Sequence, residues 1–94
     1  MQGVRFEWDD DKNRENIRKH GVSFEEARTV FFDEHAVRAF DPDHSGAEDR
    51  FVMFGMSFKL RLLLVCHCFR KSDTVIRIFS ARKADKYEAK HYRG

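Results

Sequence analysis

Four residues in the second half of the chain, Arg61, His67, Arg77 and Arg82, are of the types that grip a phosphate or move a proton. Guanidinium groups grip phosphate through paired donors, and imidazole moves a proton near neutral pH. Arg77 lies between Ile76 and Ile78 and shares a strand face with Val75 and Phe79, so a cation stands where the pattern asks for an apolar side chain. If the following hairpin loop is Lys71 to Asp73, Arg70 pairs with Thr74 and His67 lies directly across from Arg77. A four-residue loop would take His67 off that face. By parity Arg61 shares the face of His67, so Arg61, His67, Arg77 and Arg82 could line one end or face of a sheet. His44 and Glu48, four residues apart in a polar loop, supply a second acid–base pair. Each of these has a plain alternative. Arg77 could snorkel or meet a local carboxylate, and His44 and Glu48 could form a surface contact with Arg50.

The elements that must position these residues follow from periodicity. Val4 to Trp8 alternates Val4, Phe6 and Trp8 against Arg5 and Glu7, a half-buried strand. Asp9 then caps a helix with an acidic first turn, ended by Gly21. This helix is polar: Ile17 is its only large apolar residue, while Lys12, Asn16, Lys19 and His20 share one face. Ser23 and Glu26 form the capping box of a second helix, with Val22 stapled to Ala27 and an apolar stripe of Phe24, Ala27, Val30 and Phe31. Ala36 to Phe40 is a strand, followed by the loop DPDHSGAEDR. Arg50 to Met56 and Arg61 to Phe69 are near-continuous apolar runs, expected as central strands buried on both faces. Ser57 to Leu60 and Arg70 to Asp73 are short enough for hairpin turns into a last strand, Thr74 to Ser80, and Ala84 to Tyr92 reads as a terminal helix. The order β-α-α-β-β-β-β-α predicts an α+β fold, a twisted antiparallel sheet with two N-terminal helices and one C-terminal helix.

The composition narrows the function classes. With 94 residues, residues 1–94 are expected to form a single domain around one modest core. No apolar run approaches the roughly 20 residues that span a bilayer, and MQGVRFEWDDDK lacks the apolar stretch of a signal peptide, so a cytoplasmic location without membrane contact is expected. Cys66 and Cys68 point to one face of a strand, too close in sequence to bridge, and Cys-x-Cys with no second ligand pair does not have the spacing of a zinc site. Neither metal nor cofactor is expected. Residues 1–49 carry seven Arg/Lys against thirteen Asp/Glu, and residues 50–94 carry eleven against three. A basic half suits a phosphate-rich partner.

The chain resembles the BrnT family of type II toxins, whose fold is RelE-like. The likeness rests on FEWDDDKNRENIRKHGVSFEEA (residues 6–27), HSGAEDR (44–50), Gly55 and Ser57 with Arg61, His67 with Arg70, and RIFSARKA with Glu88 and Tyr92. It departs from the family pattern at Leu60, where relatives carry Gly, and at Cys68 and Phe69, where they carry Thr and Glu. The resemblance implies a metal-independent ribonuclease that inhibits translation and is neutralised by a ribbon-helix-helix antitoxin in a 2:2 heterotetramer, reaching DNA only through that antitoxin. The implied chemistry is attack by an RNA 2′-hydroxyl on the adjacent phosphodiester. In that scheme Arg61, Arg77 and Arg82 stabilise charge, His67 or the His44/Glu48 pair moves protons, and Lys12, Lys83 and Arg70 contact RNA. A degenerate toxin kept for antitoxin binding and operon autoregulation, or a non-catalytic RNA-binding module, would share the basic half without the chemistry.

Overall fold

A computed structural model describes residues 3–94. A five-stranded sheet, in spatial order β1-β5-β4-β3-β2, is built from β1 (Arg5–Glu7), β2 (Val37–Phe40), β3 (Phe51–Met56), β4 (Leu62–Arg70) and β5 (Val75–Lys83). Strands β2 to β5 form the expected antiparallel meander, but β1 pairs in parallel with β5, so the sheet is mixed rather than wholly antiparallel. Periodicity marks β1 as a strand but carries no information about its neighbour. Helices α1 (Asp10–His20) and α2 (Phe24–Thr29) precede the meander, and α3 (Lys86–Ala89) follows it. Among the described residues no helix is long and apolar enough to cross a membrane.

Local signals set the helix ends. The Asp9 carboxylate accepts hydrogen bonds from the Asp11 and Lys12 N–H groups at 2.8 and 3.1 Å, and Gly21, at φ +68°, closes α1 with its N–H on the Ile17 carbonyl. Ser23 caps α2 through the Glu26 N–H, but the Glu26 side chain turns inward instead of completing the box. The Asp85/Glu88 capping box starts α3, which spans only Lys86–Ala89 and is much shorter than the expected Ala84 to Tyr92.

One face of the sheet carries the core. Val22, Phe24, Ala27, Val30 and Phe31 pack against Met53, Leu63, Val65, Ile76, Ile78 and Ala81, each large apolar side chain contributing on the order of 1.5–3 kcal/mol. The opposite face is only partly covered, so β3 and β4 alternate buried and half-buried residues rather than being buried on both sides.

Two irregularities decide which residues reach which face. The β4–β5 loop has four residues, since Arg70 pairs with Val75, and His67 is therefore opposite Ile78 rather than Arg77. Farther along, Cys66 pairs with Ser80, leaving Phe79 as the extra residue of a β-bulge. The bulge reverses the parity of β5: Ile76, Ile78 and Ala81 all reach the core, while Arg77, across from Cys68, and Arg82, across from Leu64, both face the open side. Buried Asn16 of α1 holds this arrangement, donating to the carbonyls of Val22 and Ala81 at 2.8 Å each and accepting from the Ala81 N–H at 3.1 Å.

Candidate active site

Because β1 pairs only with Val75, Ile76 and Arg77, the rest of β5 would be a bare edge, and α1 lies along it through the Asn16–Ala81 bonds. This brings the polar face of α1 to the rim of the open side of the sheet. There a pocket of about 430 Å³ is walled by Lys12 and His20 of α1, by Asp41, His44 and Arg50 from the β2–β3 connection, and by Arg82 of β5. Val52, Leu64, Cys66, Phe79 and Ser80 form its floor.

Asp41 precedes a single 3-10 turn, Pro42–His44, that Pro42 favours at its first position. The turn carries His44 back over the Asp41 carboxylate, and Nδ1 lies 2.7 Å from Oδ2. The carboxylate therefore holds the Nδ1–H tautomer and leaves Nε2 free as a base. Ser45 fixes the loop, its hydroxyl donating to the Asp41 carbonyl at 2.7 Å and accepting from the Arg50 N–H at 2.9 Å. Arg50 lies over the Phe79 ring, with Cζ 3.8 Å from the centroid, and the Lys12 ammonium is 5.7 Å from the same ring. Arg82 is held by Glu88 in a two-pronged pair at 2.9 and 2.8 Å. The Arg82 guanidinium, followed by the Asp85 N–H, holds the Glu88 carboxyl down to about 2, so the pair is charged on both sides. Burial pushes the Cys66 thiol up, which leaves it a neutral part of the floor rather than a nucleophile.

Of the residues singled out from the sequence, the pocket gathers Lys12, His44 and Arg82. The others are elsewhere. His67 is fully buried on the helix face, ringed by Phe31, Phe51 and Phe69. Its Nδ1 lies 3.0 Å from the Val65 carbonyl and Nε2 has no partner. Burial drives its pKa down to about 4, against the pull of the Val65 bond and assisted by the charge of Arg38. Such a histidine is a neutral core residue, away from the pocket.

Arg61 donates to Glu26 from both Nε (2.9 Å) and Nη2, and to the Gly21 carbonyl at 3.0 Å. Glu26 is 1% exposed and also accepts from the Ser57 hydroxyl at 2.6 Å. Burial pushes the Glu26 carboxyl up, but the Arg61 and Ser57 bonds outweigh it, and the carboxyl ends below its ordinary value. Arg61 thus neutralises a buried charge. Arg77 donates to Glu7 at 3.0 Å, toward the end of the sheet where Arg70 meets Glu48 at 3.2 Å. That is about 15 Å along β5 from Arg82, at roughly 3.3 Å per residue. Glu48 is therefore the partner of Arg70 and not of His44, whose carboxylate is Asp41. Lys83 is exposed opposite Leu63, on the other side of the strand from Arg82.

Asp41, Arg50, His20 and Phe79 are pocket residues that the sequence reading did not select. Signals existed for two of them. His20 shares a helical face with Lys12, and Asp41 is three residues before His44 with a proline between. Alternation puts Phe79 on the strand face of Arg77 but gives no sign that it forms the floor of a pocket, because the walls come from distant parts of the chain.

A family model described as ribonuclease toxin, BrnT, of type II toxin-antitoxin system matches residues 8–88. The fold is similar to the crystal structure of the Brucella abortus ribonuclease toxin BrnT, with a TM-score of 0.65 and 22% sequence identity, over 88% of this chain and 99% of that one. No curated protein sequence matches the chain. At that identity the structural likeness speaks for the fold, while the family match spans almost every element described above. The chain belongs to the BrnT family of ribonuclease toxins of type II toxin–antitoxin systems.

Proposed function

We propose that the chain is a metal-independent endoribonuclease that inhibits translation by cleaving RNA in the pocket between α1, β5 and the β2–β3 loop. The observation that carries this reading is the Asp41–His44 pair placed in one pocket with Lys12, Arg50 and Arg82. His44 Nε2 takes the proton of the 2′-hydroxyl, and the 2′-oxygen attacks the adjacent phosphorus. The bond from phosphorus to the 5′-oxygen breaks, and His20 returns a proton to that leaving oxygen. The products are a 2′,3′-cyclic phosphate and a free 5′-hydroxyl. Lys12, Arg50 and the donors of Arg82 not used by Glu88 stabilise the charge that develops on the non-bridging oxygens. Within this scheme the departures at Cys68 and Phe69 fall outside the chemistry, since Cys68 is buried beside Arg77 and Phe69 packs against His67 and Phe51.

The family supplies an antitoxin partner, which we take to be a ribbon-helix-helix protein bound in a 2:2 assembly in the cytoplasm. Exposed edge strand β2 and the adjoining apolar groove of Val37, Ala39, Phe54 and Tyr87 suit an added strand or an amphipathic segment. Val52 and Leu64 line both this groove and the pocket, so a bound antitoxin would reach the pocket mouth.

The test is to induce the chain without its antitoxin and follow growth, and to incubate purified protein with RNA in EDTA. Growth arrest with EDTA-resistant cleavage giving cyclic-phosphate ends is expected. RNA retention without cleavage would replace the reading with a binding module, and neither effect would leave a degenerate toxin.

A further inference from the structure

A phosphodiester cleaved through its own 2′-oxygen must be held by more than its phosphate, because the attacking oxygen, phosphorus and leaving oxygen have to be brought into line. Beside the bulge in β5 an aromatic ring, that of Phe79, forms part of the floor of the pocket. Phe79 is not part of the core; it is half-buried, and its ring is bracketed by two cations that the proposed chemistry uses, Arg50 at 3.8 Å and Lys12 at 5.7 Å. Core packing does not account for the ring, since Ile78 and Ala81 on either side already serve the core. Flat guanidinium and aromatic faces are what unpaired nucleobases stack on.

We propose that Phe79, with Arg50 laid across it, is a nucleobase platform that seats the nucleotide next to the scissile bond. The inference deepens the ribonuclease reading and rests on it for the identity of the ligand. A base stacked on the Phe79/Arg50 pile has its own phosphate within the ring of cations, so one residue pair sets the register of the RNA relative to His44. The pocket, at about 430 Å³, lies in the range of roughly 300–1,000 Å³ that holds a small organic ligand. Stacking on a π-face tolerates any base, so the platform positions the strand without selecting a sequence.

The experiment uses a 2′-deoxy oligonucleotide, which lacks the attacking hydroxyl, and a series in which one position at a time is abasic. Binding is measured for the whole protein and for Phe79→Leu and Phe79→Trp, with circular dichroism confirming that each variant is folded. Phe79→Leu should weaken binding roughly ten- to hundredfold, the range that base–aromatic stacking supplies, and Phe79→Trp should stay within a few fold. One abasic position should weaken the unaltered protein by a similar factor and Phe79→Leu no further. Equal binding by Phe79→Leu, or an abasic loss that persists in it, or no binding by the unaltered protein, overturns the platform. Base-dependent binding without any cleavage of RNA by the unaltered protein would leave the platform standing and take down the ribonuclease reading.

Discussion

The Asp41 carboxylate is 2.7 Å from Nδ1 of His44 across a single 3-10 turn, so the loop between β2 and β3 builds an oriented imidazole from four consecutive residues. If His44 is the base for the 2′-hydroxyl, H44A should lower kcat by roughly 10²–10⁴-fold. D41N, which exchanges an acceptor for a donor opposite Nδ1, should lower kcat at least about tenfold by favouring the wrong tautomer. Both variants should keep their circular dichroism spectrum, because neither side chain belongs to the core. Single-turnover cleavage of a short RNA measures the effect, and an H44A protein as fast as its parent would remove His44 from the mechanism.

Arg82 and Arg77 share a strand face but not a site. R82A is expected to cost about 10²-fold or more in rate, as removal of a preorganised donor does, whereas R77A should change the rate by no more than a few fold. Glu88 adds a pH dependence. Its folded value of about 2 lies below the ordinary 4.5, so the Arg82–Glu88 contact stabilises the fold fully above pH 4.5 and is lost as the pH falls toward 2. Urea melts of E88Q and its parent between pH 7 and pH 2 should converge at the acid end.

Arg61 is predicted to matter to the fold alone. Removing one partner of a buried pair strands the other charge, so R61A should lose about 3–5 kcal/mol of stability. Replacing Glu26 as well should recover part of that loss. Denaturant midpoints of R61A and of E26L/R61L check this, and an R61A protein that is fully stable but inactive would restore Arg61 to the chemistry.

His67 makes the opposite prediction to His44. Its folded value of about 4 lies below the ordinary 6.5, so the fold is favoured above pH 6.5 and loses stability as the pH falls from there toward 4. The full loss is about 3 kcal/mol at 1.36 kcal/mol per unit. H67L removes a titrating group and the unpartnered Nε2, so it should abolish this acid-dependent step while leaving the RNA cleavage rate within a few fold.

Leu60, at φ +60° in the turn where its N–H bonds the Ser57 carbonyl at 2.9 Å, is in the left-handed region and exposed. Relief of about 1–2 kcal/mol of backbone strain is partly offset by the greater chain entropy of glycine. L60G should therefore raise the unfolding free energy by a net fraction of 1 kcal/mol to about 1 kcal/mol, read as a higher denaturation midpoint. At Gly55 the reverse holds: an added Cβ would lie 2.8 Å from the Ala36 Cβ and 3.0 Å from Val30 Cγ1.

Much of the fold was legible because alternation and capping are local. Asp9, Gly21, Ser23 and the apolar runs of β3 and β4 announce their elements. The site was less legible for a reason of parity. From spacing alone, Arg61, His67 and Arg77 fall on one strand face, but the four-residue hairpin loop and the bulge at Phe79 each shift a face by one residue. His67 consequently goes to the core and Arg77 stays on the open side. Neither shift has a short-range signature, since the bulge is held from 65 residues away by Asn16. A buried carboxylate is equally invisible: Glu26 looked like half of a capping box, and only the inward turn of its side chain explains Arg61. Lys12, His44 and Arg82, which line one pocket, stand out in the sequence by type, as long cations and an imidazole in a polar loop.

Helix α1 bears Lys12, Asn16 and His20 on one face, one helical turn apart. The outer two furnish the pocket wall and the middle one latches the strand that furnishes its floor. The helix is consequently a key with three teeth in one lock. One latch on β5 thus fixes both the ammonium and the imidazole that α1 contributes to the pocket wall.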